Sequence, residues 1–537
     1  MLTTPLLPRG LTTSCMIIVS LLVLLPLAGL FYQAMFVEAP LLASTSQTLP
    51  ELWQRYNMGE LLYRTLQLGF SVACFNVLLG CWLAWTTQRL RFMGRKVLAL
   101  VSLIPLAIPS FIYAATLRDS LSPGGWLGEL FALPVFTGFV PATLVLTLTT
   151  LPYTQLLLTT RLSSLAYQQE EAAARTLGAN VREIFWKITW PYLRPAIVYA
   201  WLISFLYAIS DFGAVAVLNY PVLTWHLYQA VEYQQLLLAS LLGSLLLLIS
   251  LPVFFGSRLL QSNKLQNVRE KKHTWANLNL PKKYYPAIVL TYLFIIVMGV
   301  VVPLATMVQW VYQGWIMQLP FADIGSPLLA TLILAIAGAS IITLFAYFPA
   351  WVAARARHMI GNYLEQLVYL TSGLPSILVG FGLLLAALII SSWSDGWIYN
   401  ALLTSGILLM LGYSLRFLPQ AYAYLKTAIL NLDDHQYASA KLLGASSFYW
   451  WRRLALPRLW ISIRAAWIVV ILSISKELPI TLLLGNATGL QPLSVRMFDR
   501  YQEAFLYDAG LAGLVLVLLC IVLSAWTLRS SKGYLSG

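Results

Sequence analysis

Long, solid runs of apolar residues separated by short polar stretches dominate the chain. They fall near 15–37, 61–86, 97–117, 136–160, 195–218, 234–256, 284–312, 327–354, 365–390, 400–424, 461–484 and 507–528. Each approaches or exceeds the ~20 residues a helix needs to cross a bilayer. Barrel strands would alternate in hydrophobicity rather than run solidly apolar. The pattern predicts an all-α polytopic membrane protein of about 12 transmembrane helices.

The polar stretches alternate in sign. Residues 88–96 (QRLRFMGRK) carry four basic residues and no acid, and 257–283 holds seven basic residues against Glu270. ARARH (354–358) and Arg529 with Lys532 are basic as well. The stretches between lean acidic: Glu38, Glu51 and Glu60, then Asp119 and Glu129, then Glu232, Asp323 and Asp395. Basic loops face the cytoplasm, so both termini are expected inside a bacterial cytoplasmic (inner) membrane.

Composition agrees, with 59% hydrophobic and only 10% charged residues. The net charge of +14 follows from the basic loops and calls for no nucleic acid. Cys15, Cys74, Cys81 and Cys520 lie in apolar segments without metal or disulfide spacing. The run from Cys15 to Val37 is too long for a signal-peptide core and has a counterpart at Tyr284 to Tyr312, so it reads as a retained span.

Sliding the chain against itself by 266 residues superposes Thr65-Leu66 on Thr331-Leu332 and Ala84-Trp85 on Ala350-Trp351. Pro109-Ser110 falls on Pro375-Ser376, Leu177-Gly178-Ala179 on Leu443-Gly444-Ala445, and Pro191 on Pro457. The predicted organisation is a first repeat at 1–256, a cytoplasmic linker at 257–283 and a second repeat at 284–537. Six spans per copy make the repeats parallel, related by an axis along the membrane normal, with a pathway expected along it.

Two charged amphipathic stretches interrupt the oil at matching repeat positions: EEAAARTLGANVREIFWKITWP (170–191) and YASAKLLGASSFYWWRRLALP (437–457). In each, a Gly is followed thirteen residues later by a Pro. This reads as a helix, a turn that Gly permits, and a second short helix stopped before Pro. The alternative is a pair of ordinary amphipathic surface helices.

The two stretches, within loops 161–194 and 426–460, resemble the "EAA loop" of permease subunits of binding-protein-dependent ABC importers. The resemblance implies a fused, two-repeat permease of the type I importer fold. It assigns ATPase coupling to Glu171, Ala172, Ala173, Gly178, Ile188 and Pro191, and to Ala438, Ala440, Gly444, Leu454 and Pro457. It also implies two copies of a cytoplasmic ABC ATPase, one docked under each half, and a periplasmic or lipid-anchored solute-binding protein. ATP and Mg would be bound by the ATPase, and no cofactor by this chain. One departure stands out: the position of the family's Glu, six residues before the Gly, holds Ala172 and Ala438, with Glu171 one place earlier.

Within the fifth and eleventh spans, Asp211 and Glu477 share a repeat position. An acid at mid-membrane costs about 2.5–3.5 kcal/mol on insertion scales and should face protein or a wet cavity. Lys476 has no basic twin at Ser210 and is expected to approach an acid of the other half, such as Asp211. These three form a candidate periplasmic-side gate, or else a static ion pair. The stretch 485–506, with Arg496, Asp499, Arg500 and Glu503, is the candidate contact for the binding protein, or else a solvated loop.

SDFGAV (210–215) and KELPITLLL (476–484) resemble fused permeases of the ferric-iron import type and, less closely, thiamine permeases. Tyr207, Asp211 and Tyr220 offer oxygens suited to a hard ion, but His226, His273, His358 and His435 form no cluster and no metal site is assigned. No Gly-Lys dipeptide occurs, so there is no phosphate-binding loop and the chain is not the ATPase. Neither a Ser/His/Asp arrangement nor His-Glu-x-x-His appears, so the chain is expected not to be an enzyme. The rival class is a 12-span secondary transporter, which would place ionisable residues across several spans.

Overall fold

The structure, a computed structural model, describes residues 9–33, 49–90, 94–163, 165–261, 285–355, 358–391 and 397–535. Most of the linker, including His273, lies outside the described residues, as do Glu38 and Asp395. Among the described residues the regular elements are all helical. Among these residues nine helices are long and apolar enough to cross a membrane, or up to 12 spans if each of three bent pairs counts as one.

The bends depart from the straight spans that the apolar runs predict. Val97–Ala107 turns by 100° into Ser110–Leu121, and Met359–Gly373 by 103° into Ser376–Ser391. The matched Pro109 and Pro375 lie at the breaks. Proline excludes its predecessor from the helical region, and Ile108 (ψ 124°) and Leu374 (ψ 128°) are extended accordingly. Hydropathy averages over such a corner because both arms are apolar.

Two compact units gather the helices, and they group the chain differently from the sequence repeats. One comprises Leu49–Ala230 and Leu245–Leu319. In it the opening span of the second repeat packs on the later spans of the first. Ile288, Tyr292 and Ile295 share a buried cluster with Leu83, Leu148 and Leu151. The Tyr292 hydroxyl lies 2.8 Å from Thr87 Oγ1, and Trp310 Nε1 donates to Asp119 at 2.6 Å.

The other unit comprises Met1–Thr48, Val231–Ser244 and Pro320–Gly537. Here Arg9–Tyr32, from the first repeat, lies against Ser376–Ser391 of the second. The contact is made by glycine: a Cβ at Gly29 would sit 2.6 Å from the Gly382 carbonyl, and one at Gly382 2.5 Å from that of Pro26. Small residues let helix backbones approach where no hydrophobic force drives them together.

Candidate functional site

Each charged stretch folds into an elbow with the same backbone. In the first, helix Leu165–Thr176 ends at Gly178, whose φ is +81°. Gly178 N–H donates to the Arg175 carbonyl and Ala179 N–H to that of Ala174, both at 3.0 Å. In the second, Asp434–Leu442 ends at Gly444, again at φ +81°. Gly444 N–H donates to Lys441 at 3.0 Å and Ala445 N–H to Ala440 at 2.9 Å. This paired bonding is the Schellman termination, which needs a left-handed residue after the helix. An added Cβ would meet nothing within 4 Å at either glycine, so backbone angle alone demands Gly.

Caps then restart each helix from matched positions. Asn180 Oδ1 accepts Glu183 N–H at 2.9 Å, while Glu183 Oε2 accepts Asn180 N–H at 3.1 Å. At the same repeat position Ser446 Oγ accepts Tyr449 N–H at 3.1 Å. The capping, reciprocal in the first elbow and one-way in the second, satisfies amides that a helix start leaves open.

The second helix does not stop before proline. Val181–Ile184 continues through a π-helical turn, Phe185–Thr189, into Trp190–Ser210. Ser447–Trp450 likewise continues through Trp451–Ala455 into Leu456–Ser475. Trp190 N–H reaches back five residues to Phe185, and Leu456 N–H to Trp451. A proline one residue later lacks an N–H and would crowd the carbonyl four residues back. The wider turn moves that carbonyl away, so the elbow runs into the span as one helix. The same turn, Val297–Val301, precedes Pro303.

The residues assigned to coupling divide by exposure. Ala172, Ala173, Gly178 and Gly444 are exposed, Ala438, Ala440 and Ile188 half-buried, and Leu454, Pro191 and Pro457 exposed along the rising helix. Beside the glycines, Leu177 and Leu443 are 86% and 87% exposed. Glu171 is buried instead. Its carboxylate accepts both terminal nitrogens of Arg89 and, at 2.9 Å, Arg175 Nη2. Burial by itself would raise its pKa, but the bonds and charge of Arg89, then Arg175, outweigh it and hold the carboxyl below its usual value. Removing one partner from a buried pair of this kind costs about 3–5 kcal/mol.

Arg89 and its network were not singled out from the sequence. Arg89 also donates to the Tyr167 hydroxyl, which lies 2.8 Å from Thr189 Oγ1 in the π turn. The second elbow has Arg355, paired with Asp434 and donating to the carbonyls of Ile429 at 3.0 Å and Leu432 at 3.3 Å. Arg89 and Arg355 are 266 residues apart, so extending the self-comparison to the charged ends of the spans finds them.

Asp211 and Glu477 act as matched helix caps. Asp211 Oδ1 accepts Ala214 N–H at 2.9 Å, opening Gly213–Val217, and Ser110 Oγ donates to Oδ2 at 2.6 Å. Glu477 accepts the N–H groups of Ile480 and Thr481 at 3.1 Å and the Thr481 hydroxyl at 2.9 Å, opening Pro479–Gly485. Both carboxylates therefore find donors on the short helices they start. Lys476, half-buried, follows the last residue of Leu456–Ser475, where a cation favours the helix dipole.

The stretch 485–506 contains a helix, Leu493–Gln502, with Leu493, Val495, Met497 and Phe498 buried. Arg496 and Asp499 are half-buried and Glu503 is exposed. Arg500 turns to its own chain: Nη1 is 2.8 Å from Glu503, Nε 3.8 Å from Asp508, and the guanidinium lies over Phe505. Burial, then the neighbouring Glu503, pushes the Asp499 pKa up to about 6. Tyr220 donates to Gln67 at 3.3 Å. Among the described residues no three His, Cys, Asp or Glu side chains gather as a metal site.

Repeated helical halves with matched elbows define a multi-pass membrane transport component. The model of the family described as "binding-protein-dependent transport system inner membrane component" matches residues 76–266 and 347–530, once in each repeat. The chain belongs to that family, the permeases of ABC importers, and is a multi-pass inner-membrane protein. The Fe(3+)-transport system permease protein FbpB 2 of Haemophilus influenzae is 27% identical over 477 residues, 87% of this chain and 89% of its own. The sulfate transport system permease protein CysT of Escherichia coli is 29% identical over 259 residues, 46% of this chain and 90% of its own. A probable sulfate permease of Chlorella vulgaris is 32% identical over 197 residues, 35% of this chain and 73% of its own.

Proposed function

We propose that this permease imports ferric iron delivered by a periplasmic or lipid-anchored binding protein, driven by two cytoplasmic ATPase subunits. ATP and Mg belong to those subunits, and this chain binds no cofactor of its own. Both termini and both elbows face the cytoplasm in this reading, which the excess of basic residues in the matching loops supports. Iron is favoured over sulfate by the extent of likeness. The relative named for Fe(3+) matches across both repeats, whereas the sulfate relatives cover less than half of the chain.

The observation that carries docking is the pair of glycine turns, each presenting an exposed leucine, Leu177 or Leu443, at the same repeat position. An apolar side chain at the tip of a charged elbow suits a cleft on a partner. The Leu493–Gln502 helix offers Arg496, Asp499 and Glu503 to the binding protein, while Arg500 braces that helix internally. Asp211, Glu477 and Lys476 brace the outer end of the pathway, the two acids through the helices they cap.

The test is uptake by the reconstituted complex against Fe³⁺, sulfate and thiamine, with Gly178→Pro and Gly444→Pro in parallel. Iron uptake that becomes uncoupled from ATP hydrolysis in both variants is the expected result. Sulfate uptake alone would overturn the substrate. Normal coupling in both variants, or elbow cysteines that crosslink to no ATPase subunit during turnover, would overturn the docking.

A further inference from the structure

Arg89 is the last residue of Met58–Arg89, and Arg355 the last of Gly325–Arg355. The Arg89 side chain is buried and that of Arg355 largely covered, at 4% and 9% exposure, although each stands at the polar end of an apolar span. Each reaches an acid on the elbow helix of its own repeat: Glu171 for Arg89 and Asp434 for Arg355. The acids are not repeat equivalents. Tyr437 stands where Glu171 would fall and Gln168 where Asp434 would fall. The arginine keeps its place in both halves while its partner has moved, so the shared feature is a tie from span to elbow rather than a particular pair.

Backbone contact between each elbow helix and that span is sparse. Direct transmission from the elbow helix to that span therefore runs through side chains, beside the indirect route through the rising helix that the elbow continues into. Arg89 holds Glu171 as a buried fork through both terminal nitrogens, whose planar geometry resists rotation, whereas Arg355 meets the exposed Asp434 through Nη1 and spends Nη2 on backbone carbonyls. Arg89 extends the tie to Tyr167, and through it to Thr189 at the foot of the next span; Arg355 extends it to the carbonyls of Ile429 and Leu432.

We infer that Arg89 and Arg355 are positioning residues for coupling: each converts displacement of its elbow into displacement of the end of its half's second span. The inference rests on the elbow docking proposed above. It adds a route that a docking surface alone does not require, since the elbows could act only through the helices that follow them.

Hydrogen exchange in the purified complex with its ATPase subunits, in lipid nanodiscs with and without ATP, separates the two ideas. In the unaltered chain ATP should change exchange both in Leu165–Thr176 and at the span end, Leu83–Leu90. Arg89→Ala should keep the elbow response and lose the span-end response, and the charge swap Arg89→Glu with Glu171→Arg should restore it. Glu171→Gln, which preserves shape, serves if Arg89→Ala fails to assemble and should weaken the same response. A span end that responds to ATP normally in either single variant overturns the lever alone. An elbow that ignores ATP in the unaltered complex overturns docking and lever together.

Discussion

The hydroxyl of Thr65 accepts the amide hydrogen of Leu223 at 3.0 Å, and Thr331 does the same for Leu493 at 2.8 Å. Both threonines are buried, and each anchors the start of a ten-residue helix, Leu223–Glu232 or Leu493–Gln502. One residue on, the Thr224 hydroxyl donates to the Asp211 carbonyl at 2.8 Å and the Ser494 hydroxyl to that of Glu477 at 2.9 Å. The two halves thus reproduce one hydrogen-bond arrangement from partly different residues.

Replacing that hydroxyl should be felt. Thr65→Val or Thr331→Val leaves a buried amide without its acceptor, a loss of about 1–3 kcal/mol. Thermal unfolding in detergent should fall for both variants and recover with Thr→Ser. An unchanged midpoint for both valine variants would mean that the anchors carry no stability.

Charge and capping at Asp211 are separable. Asp211→Asn keeps an oxygen for Ala214 N–H, whereas Asp211→Ala removes it, at a cost of about 0.5–2 kcal/mol for a lost cap. If the residue serves only as a cap, the asparagine variant should transport normally and the alanine variant should be destabilised. Loss of transport in a stably folded Asp211→Asn would instead support a gate that depends on charge. Glu477→Gln and Glu477→Ala make the same comparison in the other half.

Pro191 imposes the π turn on the first elbow. With an N–H supplied by Pro191→Ala, the turn can tighten to α-helical pairing and gain about 1 kcal/mol from one more hydrogen bond. The same change rotates the elbow about the span it feeds. A raised or equal melting temperature with reduced uptake per ATP is expected; a lowered melting temperature with normal coupling would contradict this reading.

Asp499 should give the outer helix a pH dependence. Its folded-state pKa of about 6 lies above the ordinary 3.8, so the folded chain holds a proton that the unfolded chain releases between those values. Stability from this group is fully present below the ordinary value and is lost as pH rises through about 6. Hydrogen exchange across Leu493–Gln502 should therefore quicken over that window, beyond the intrinsic rise of amide exchange with pH, and Asp499→Asn should flatten the excess. An identical excess in the variant would assign it to another group.

Local chemistry made much of this protein readable in one dimension. Apolar runs mark spans because lipid cannot satisfy a bare backbone, and the glycine turns are legible because only Gly takes φ +81° without strain. The repeat followed from counting. What escaped was non-local or directional. Hydropathy reads straight through the 100° corner at Pro109, because apolar residues continue on both sides of the proline. No pattern told that Pro191 would sit inside a continuous helix rather than end one. Glu171 lies 82 residues from Arg89, and only packing buries the two together. The exchange of opening spans between repeats likewise depends on which surfaces fit, as at Gly29 and Gly382. Residue type sets what a backbone may do and what a bilayer will hold; which distant partners meet is settled by close packing, where a carbonyl 2.6 Å from a would-be Cβ leaves no room for another choice.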